Sequence, residues 1–171
     1  MIDPTVNLDH FREVMNFVST SPHRNLAIVG CSYCEHFVME LIELQPFMNK
    51  SHFKRLFGES RPLYNFIPRI DFLNMINVLS DNICEDVKTI GKIRNKFAHN
   101  LSLETFADQD IEGLISNFRD ARAPEMGPGN SFDSAWQNGS SEERFTRGLS
   151  SVVAALANHV TAARLRSIES I

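Results

Sequence analysis

Arg94, Asn95 and His99 stand within one short run, Arg94-Asn95-Lys96-Phe97-Ala98-His99. A guanidinium is a fixed cationic fork for phosphate or carboxylate. A histidine exchanges its proton near neutral pH. With Asn95 orienting His99, the set could stabilise charge on a phosphodiester and move the proton of a ribose 2′-hydroxyl. Lys92 and Lys96 would then hold the flanking backbone, and the chemistry would need no metal. The same residues could instead be architectural. At 100° per residue, Arg94 falls within the apolar stripe of Ile83, Val87, Ile90 and Phe97, with Ile93 at its edge. Lys88, Lys92, Asn95 and His99 lie on roughly the opposite side. A guanidinium buried in that stripe needs a partner, because an unpaired buried charge is very costly. Glu35 is the expected partner in a structural ion pair, with Asp71 and Glu40 as alternatives. His99, at the negative end of its helix, would then cap carbonyls while Asn100 takes a left-handed turn.

The elements that must position these residues read as helices. Period 3.6 recurs along the chain, and no alternating run is long enough for a convincing strand. A first helix is expected over residues 8–18, with Phe11, Val14, Met15 and Val18 on one face. A second spans 23–44, starting after Pro22 and stopping before Pro46. It has two apolar stripes, Leu26-Val29-Tyr33-Phe37-Leu41 and Ala27-Cys31-Cys34-Val38-Ile42, so it should be central in a bundle. A short helix over 51–57 is closed by Gly58. Another spans 65–79, with Pro68 in its first turn. The motif helix spans 82–99, capped by Ser80 or Asp81, and a further helix spans 108–118. Residues 119–140 hold Pro124, Gly127, Pro128, Gly129 and Gly139 and read as a long, partly mobile loop. Ser140-Ser141-Glu142-Glu143 is a capping box that opens a last helix to about residue 166. That helix has nothing to pack on except the earlier ones, so the loop is no domain boundary. The expected fold is all-α: one domain over residues 1–171, a bundle of six or seven helices.

The bulk numbers narrow the function classes. Hydrophobic residues make up 43% of the 171, ordinary for a globular protein, and the net charge is −4. An acidic balance argues against a broad basic surface wrapping nucleic acid and leaves room for a local basic patch. The start Met1-Ile2-Asp3-Pro4 shows no signal peptide, and the apolar runs stop short of a membrane span. Cys31, Cys34 and Cys84 are an odd set that fits a reducing cytoplasm. Cys31-x-x-Cys34 lies inside a helical pattern, so core thiols are expected rather than a redox pair. Cys84 and His36 are the only further hints of a zinc site. Glu35, His36, Glu40 and Glu43 supply only His36-x-x-x-Glu40, short of a two-metal pattern. No metal or cofactor is expected.

The block Ile93–His99 resembles the arginine-x4-6-histidine signature of HEPN domains, which are small and all-helical. More closely, the chain resembles the mannitol operon repressor family. The matching segments are Leu26-Ala27-Ile28-Val29-Gly30 with Tyr33 and Glu35, then Leu56-Phe57-Gly58, Ile67-Pro68-Arg69-Ile70, the motif, and Glu142-Glu143-Arg144-Phe145. The link Val78-Leu79-Ser80-Asp81-Asn82-Ile83 departs from the hydrophobic link usual in that family, and residues 119–140 look longer than its counterpart. The resemblance implies a non-enzymatic, cytoplasmic transcriptional regulator with a HEPN-like fold. No helix-turn-helix is evident, so a protein partner is expected and direct DNA binding is not. The HEPN likeness implies an alternative: a metal-independent endoribonuclease acting as a dimer. Arg94, Asn95 and His99 would then be catalytic and RNA the substrate. The 13 phenylalanines leave a homodimer open.

Overall fold

α1, His23–Glu43, is the hub. Of its two apolar stripes, Leu26, Ala27, Cys31, Cys34, Phe37, Val38, Leu41 and Ile42 are buried, while Val29 and Tyr33 of the first stripe are half-buried against the core. One side of α1 packs against the motif helix and another against the last helix, as expected for a helix apolar on two faces. The computed structural model describes residues 22–119, 136 and 138–169. The helix expected over 8–18 and most of the 119–140 loop lie outside these residues. The remaining helices are α2 (Lys50–Phe57), α3 (Phe66–Met75), α4 (Asp81–His99), α5 (Gln109–Ile115) and α6 (Ser141–Glu169). No strand occurs among the described residues. The fold is an all-α, single-domain helical bundle.

Local signals set most of the helix ends. The Asn49 side chain accepts from the backbone N–H groups of Ser51 and His52 and starts α2. Ser80 Oγ accepts from Ile83 N at 3.4 Å, so Ser80 rather than Asp81 caps α4. At the start of α6 the capping box closes in both directions. Glu143 N donates to Ser140 Oγ at 3.2 Å, and Ser140 N donates to Glu143 Oε2 at 2.8 Å.

Three ends differ from expectation. α3 stops at Met75 because Asn77 adopts φ 56°. Asn77 N then donates to Asn74 O at 2.8 Å and Val78 N to Leu73 O at 2.9 Å, a Schellman turn that an α-helix cannot pass through. Gly58 does close α2, but in an extended conformation (φ −66°, ψ 171°). Glycine is needed there because a Cβ would sit 2.6 Å from the Lys54 carbonyl oxygen. α5 ends at Ile115, where Asn117 N and Phe118 N bond three residues back and tighten the chain into turns.

The centre of the bundle is aromatic. Phe106 stacks on Phe145 at 4.4 Å and meets Phe97 edge-on at 5.2 Å, joining the α4–α5 loop to α6 and α4. Trp136, isolated in the sequence, is buried edge-on to Phe118 at 6.2 Å. At Gly30 α1 approaches α6 closely, and a Cβ there would lie 2.4 Å from Leu149 Cδ2.

Candidate functional site

The motif sits on the last two turns of α4. Ile93 and Phe97 are buried, Asn95 and His99 are exposed, and Arg94 is half-buried. An arginine can bury its stem along apolar surface while its head reaches the edge, which fits an Arg94 in the apolar stripe that is only half covered. Arg94 Nη1 donates to Asn95 Oδ1 at 2.8 Å rather than to Glu35. Glu35 is itself half-buried on α1. Both charges act on the Cys31 thiol: burial chiefly, and Glu35 next, push it up to about 12, while Arg94 opposes them. The two alternative acids are engaged elsewhere. Asp71 pairs with Lys88 at 2.8 Å, and Glu40 pairs with Arg164 of α6.

The lysines of the motif face divide. Lys96 pairs with Asp110 of α5, while Lys92 is exposed. His99 makes no hydrogen bond among the described residues, and Asn100 is extended (φ −117°, ψ 102°), not left-handed. The end of α4 is closed from within only in part, by Asn100 N donating to Lys96 O at 3.0 Å and Leu103 N to Asn100 O at 3.3 Å. Arg24 completes the closure. Its Nη1 donates to Phe97 O, and its Nη2 donates to the carbonyls of Asn100 (3.1 Å), Leu101 (3.2 Å) and Leu103 (2.9 Å). One guanidinium from the first turn of α1 thus satisfies carbonyls that a helix end leaves orphaned. It also sets a positive charge at the negative end of the α4 dipole.

His23, the neighbour of Arg24, locks the same junction. Phe106 N donates to His23 Nδ1 at 2.9 Å, so that nitrogen carries no proton and the ring's proton lies on Nε2. Nε2 is 3.3 Å from Glu142 Oε2 at the start of α6, and the ring stacks on Phe106 at 4.9 Å. Sequence reasoning missed both residues. The available signal was a pair of basic residues, with no acid, in the first turn of α1, where the helix dipole disfavours cations.

The three thiols are free and buried. Burial pushes Cys34 well up and Cys84 to about 11, so all three stay protonated at neutral pH. This is the opposite of an activated redox pair. His36 lies 3.9 Å from Glu40, whose other oxygen is taken by Arg164. Among the described residues no three His, Cys, Asp or Glu side chains converge as metal ligands. No helix among them is long and apolar enough to cross a membrane.

A cavity of about 370 Å³ lies at the far end of the bundle, between the C-termini of α1 and α3 and the last turns of α6. Leu44, Gln45, Ile76, Val78, His159 and Arg166 line it. Burial, and then Arg166, hold the His159 pKa below its usual 6.5. The unfolded chain therefore takes up this proton first as pH falls. The folded state is not penalised above about 6.5 and loses stability as pH drops from there toward the depressed value. His159→Gln is expected to remove that part of the decline in a thermal-melt series from about pH 7.5 to 5. An unchanged pH profile would assign the acid sensitivity to other groups.

No protein-family model matches the chain. No curated protein matches it in sequence. A chain in the X-ray structure of the MtlR–HPr complex from Escherichia coli has a similar fold, with a TM-score of 0.58. The two are 18% identical over 89% of this chain and 96% of that one. At that identity the likeness is one of fold.

Proposed function

We propose that the chain is a transcriptional regulator of the mannitol operon repressor type, cytoplasmic, acting through contacts with a protein partner and not through turnover. The observation that carries this reading is the fold shared over nearly the whole length of both chains with a component of the MtlR–HPr complex. The ordered family-like segments of the sequence support it independently. So does the motif's geometry: Arg94 is tied to its neighbour Asn95, and His99 stands on open surface. The partner to test first is HPr from the protein's own host. Titration calorimetry is expected to detect a complex, and His99→Ala to leave the fold and the affinity within about twofold of wild type. Absence of any complex would remove HPr as the partner. Loss of binding on that one substitution would show that the histidine matters to it.

A second reading is kept by one observation. Arg94 and Asn95 are in contact and His99 follows one turn later, all at the accessible end of one helix. In a dimer, two such sets could form a metal-independent ribonuclease site, with His99 moving the proton, Arg94 stabilising charge on the phosphate and Lys92 beside the backbone. Incubation with single-stranded RNA, with and without chelator, tests it: intact RNA ends this reading. Cleavage that His99→Ala abolishes would replace the first reading with this one.

A further inference from the structure

Charge is unevenly spread. Residues 49–70 carry Lys50, Lys54, Arg55, Arg61 and Arg69 against Glu59 alone, which leaves twelve basic and twenty acidic residues elsewhere. Basic residues in the rest of the bundle are commonly engaged: Lys88, Lys96, Arg144 and Arg164 all pair with carboxylates. Lys50, Lys54, Arg55 and Arg61 are exposed and form no ion pair among the described residues. All four lie on α2 or the turn that follows it. Lys50 and Lys54 are one turn apart on α2, and the Arg61 side chain lies against the helix end at Gly58. Leu63 N donates to Leu56 O at 3.0 Å and Tyr64 N to Arg61 O at 3.0 Å, tying the α2–α3 turn back onto α2. Arg69 stands 5.9 Å over the Tyr64 ring and is fixed by its Nε bond to Leu63 O at 3.0 Å. Three large apolar side chains surface on the same lobe: Phe47 (54% exposed), Tyr64 (47%) and Ile67 (37%).

We propose that this α2–α3 lobe is the face that docks the protein partner, and that the partner presents an acidic surface with an apolar centre. The inference rests on the reading of the chain as a protein-contact regulator and adds where contact is made and with what chemistry. Arginine, tyrosine and phenylalanine are the types enriched at protein interfaces, and here one arginine and the tyrosine are held in place before any partner arrives. The basic residues supply charge complementarity, which steers encounter and fixes register. A long uniform polyanion fits less well, because the surface beyond the lobe carries the chain's acidic excess.

The test uses a fluorescein-labelled Glu/Asp-rich peptide with a central Phe-Leu pair, read by anisotropy with the full chain. The same peptide without the pair, and an oligo-dT strand, serve as competitors. The Phe-Leu peptide is expected to bind at low salt, tighter than its all-polar counterpart and with affinity falling as salt rises. R55E/R61E should weaken it at least about tenfold, and Tyr64→Ala should weaken it without changing the salt dependence. All three positions are exposed, so circular dichroism melts of the variants should match wild type. No binding, binding indifferent to R55E/R61E, or tighter binding of the oligo-dT would overturn the proposal. So would self-association abolished by R55E/R61E, which would give the face to a second copy of the chain. If HPr fails to bind while the peptide binds, HPr falls as the partner and the docking face stands. If the peptide fails, the face falls whatever HPr does.

Discussion

Phe106→Ala is expected to destabilise the fold by about 4 kcal/mol, the range for a large aromatic removed from a packed core. At about 2–4 °C per kcal/mol for a chain of this size, the melting temperature should fall by about 8–16 °C. The ring is 0% exposed and touches three others from three elements: Phe97 on α4, Phe145 on α6 and His23 on α1. None of these can collapse into the vacated space without moving its helix. Stacked and edge-on aromatic contacts add to the loss beyond buried area. The Phe106 backbone also donates to His23, and a loosened loop would put that bond at risk. Phe106→Leu keeps most of the volume and should cost less than half as much. Urea unfolding with an unchanged m-value would confirm a loss of stability and not of cooperativity. A shift of only a degree or two for Phe106→Ala would mean that the ring does not hold this junction together.

What was legible in the sequence was local. Ser140 and Glu143 announce their capping box within four residues, and the structure closes it in both directions. The two stripes of α1 place it at the centre because periodicity encodes burial directly. Of the two cap candidates for α4, Ser80 and Asp81, it is Ser80 whose side chain accepts from Ile83 N. Asn77 was readable in part, since asparagine tolerates the left-handed region, but nothing near it said the helix would stop there rather than at Leu79. The site was harder because its key contacts are distant. Arg24 reaches carbonyls 73 to 79 residues away. No spacing rule links those positions. Period puts Arg94 in the apolar stripe, yet it is only half-buried, because angle does not say how far a neighbouring helix covers the head group. That coverage is set by how α1 and α4 cross, a property of the whole bundle. The carbonyl-capping role expected of His99 belongs to Arg24, and the left-handed turn expected at Asn100 does not form.

Arg24→Ala follows from that exchange and should cost about 2–4 kcal/mol, or a melting temperature lower by about 4–16 °C. A hydrogen bond from a charged donor contributes about 1.5–3 kcal/mol net, and partial exposure at Asn100 and Leu101 keeps the four bonds from adding fully. The bonds to Phe97 and Leu103 are partly buried, and those carbonyls would be left poorly satisfied. Arg24→Lys keeps the charge at the α4 terminus but offers a single point where a planar fork spans several acceptors, so it should recover less than half of the loss. The damage should also have a place. Amides from Asn100 to Leu103 should exchange faster in Arg24→Ala than the global destabilisation alone requires, because the last turn of α4 frays first once its clamp is gone. Phe106→Ala acts on the core and should raise exchange more evenly. The turn that frays carries His99 and lies beside Asn95, so the clamp also fixes whatever those exposed groups meet. An Arg24→Ala protein with unchanged melting temperature and unchanged exchange at 100–103 would mean that water serves those carbonyls as well as the guanidinium does. The α1–α4 junction would then be held by Phe106 and its neighbours alone.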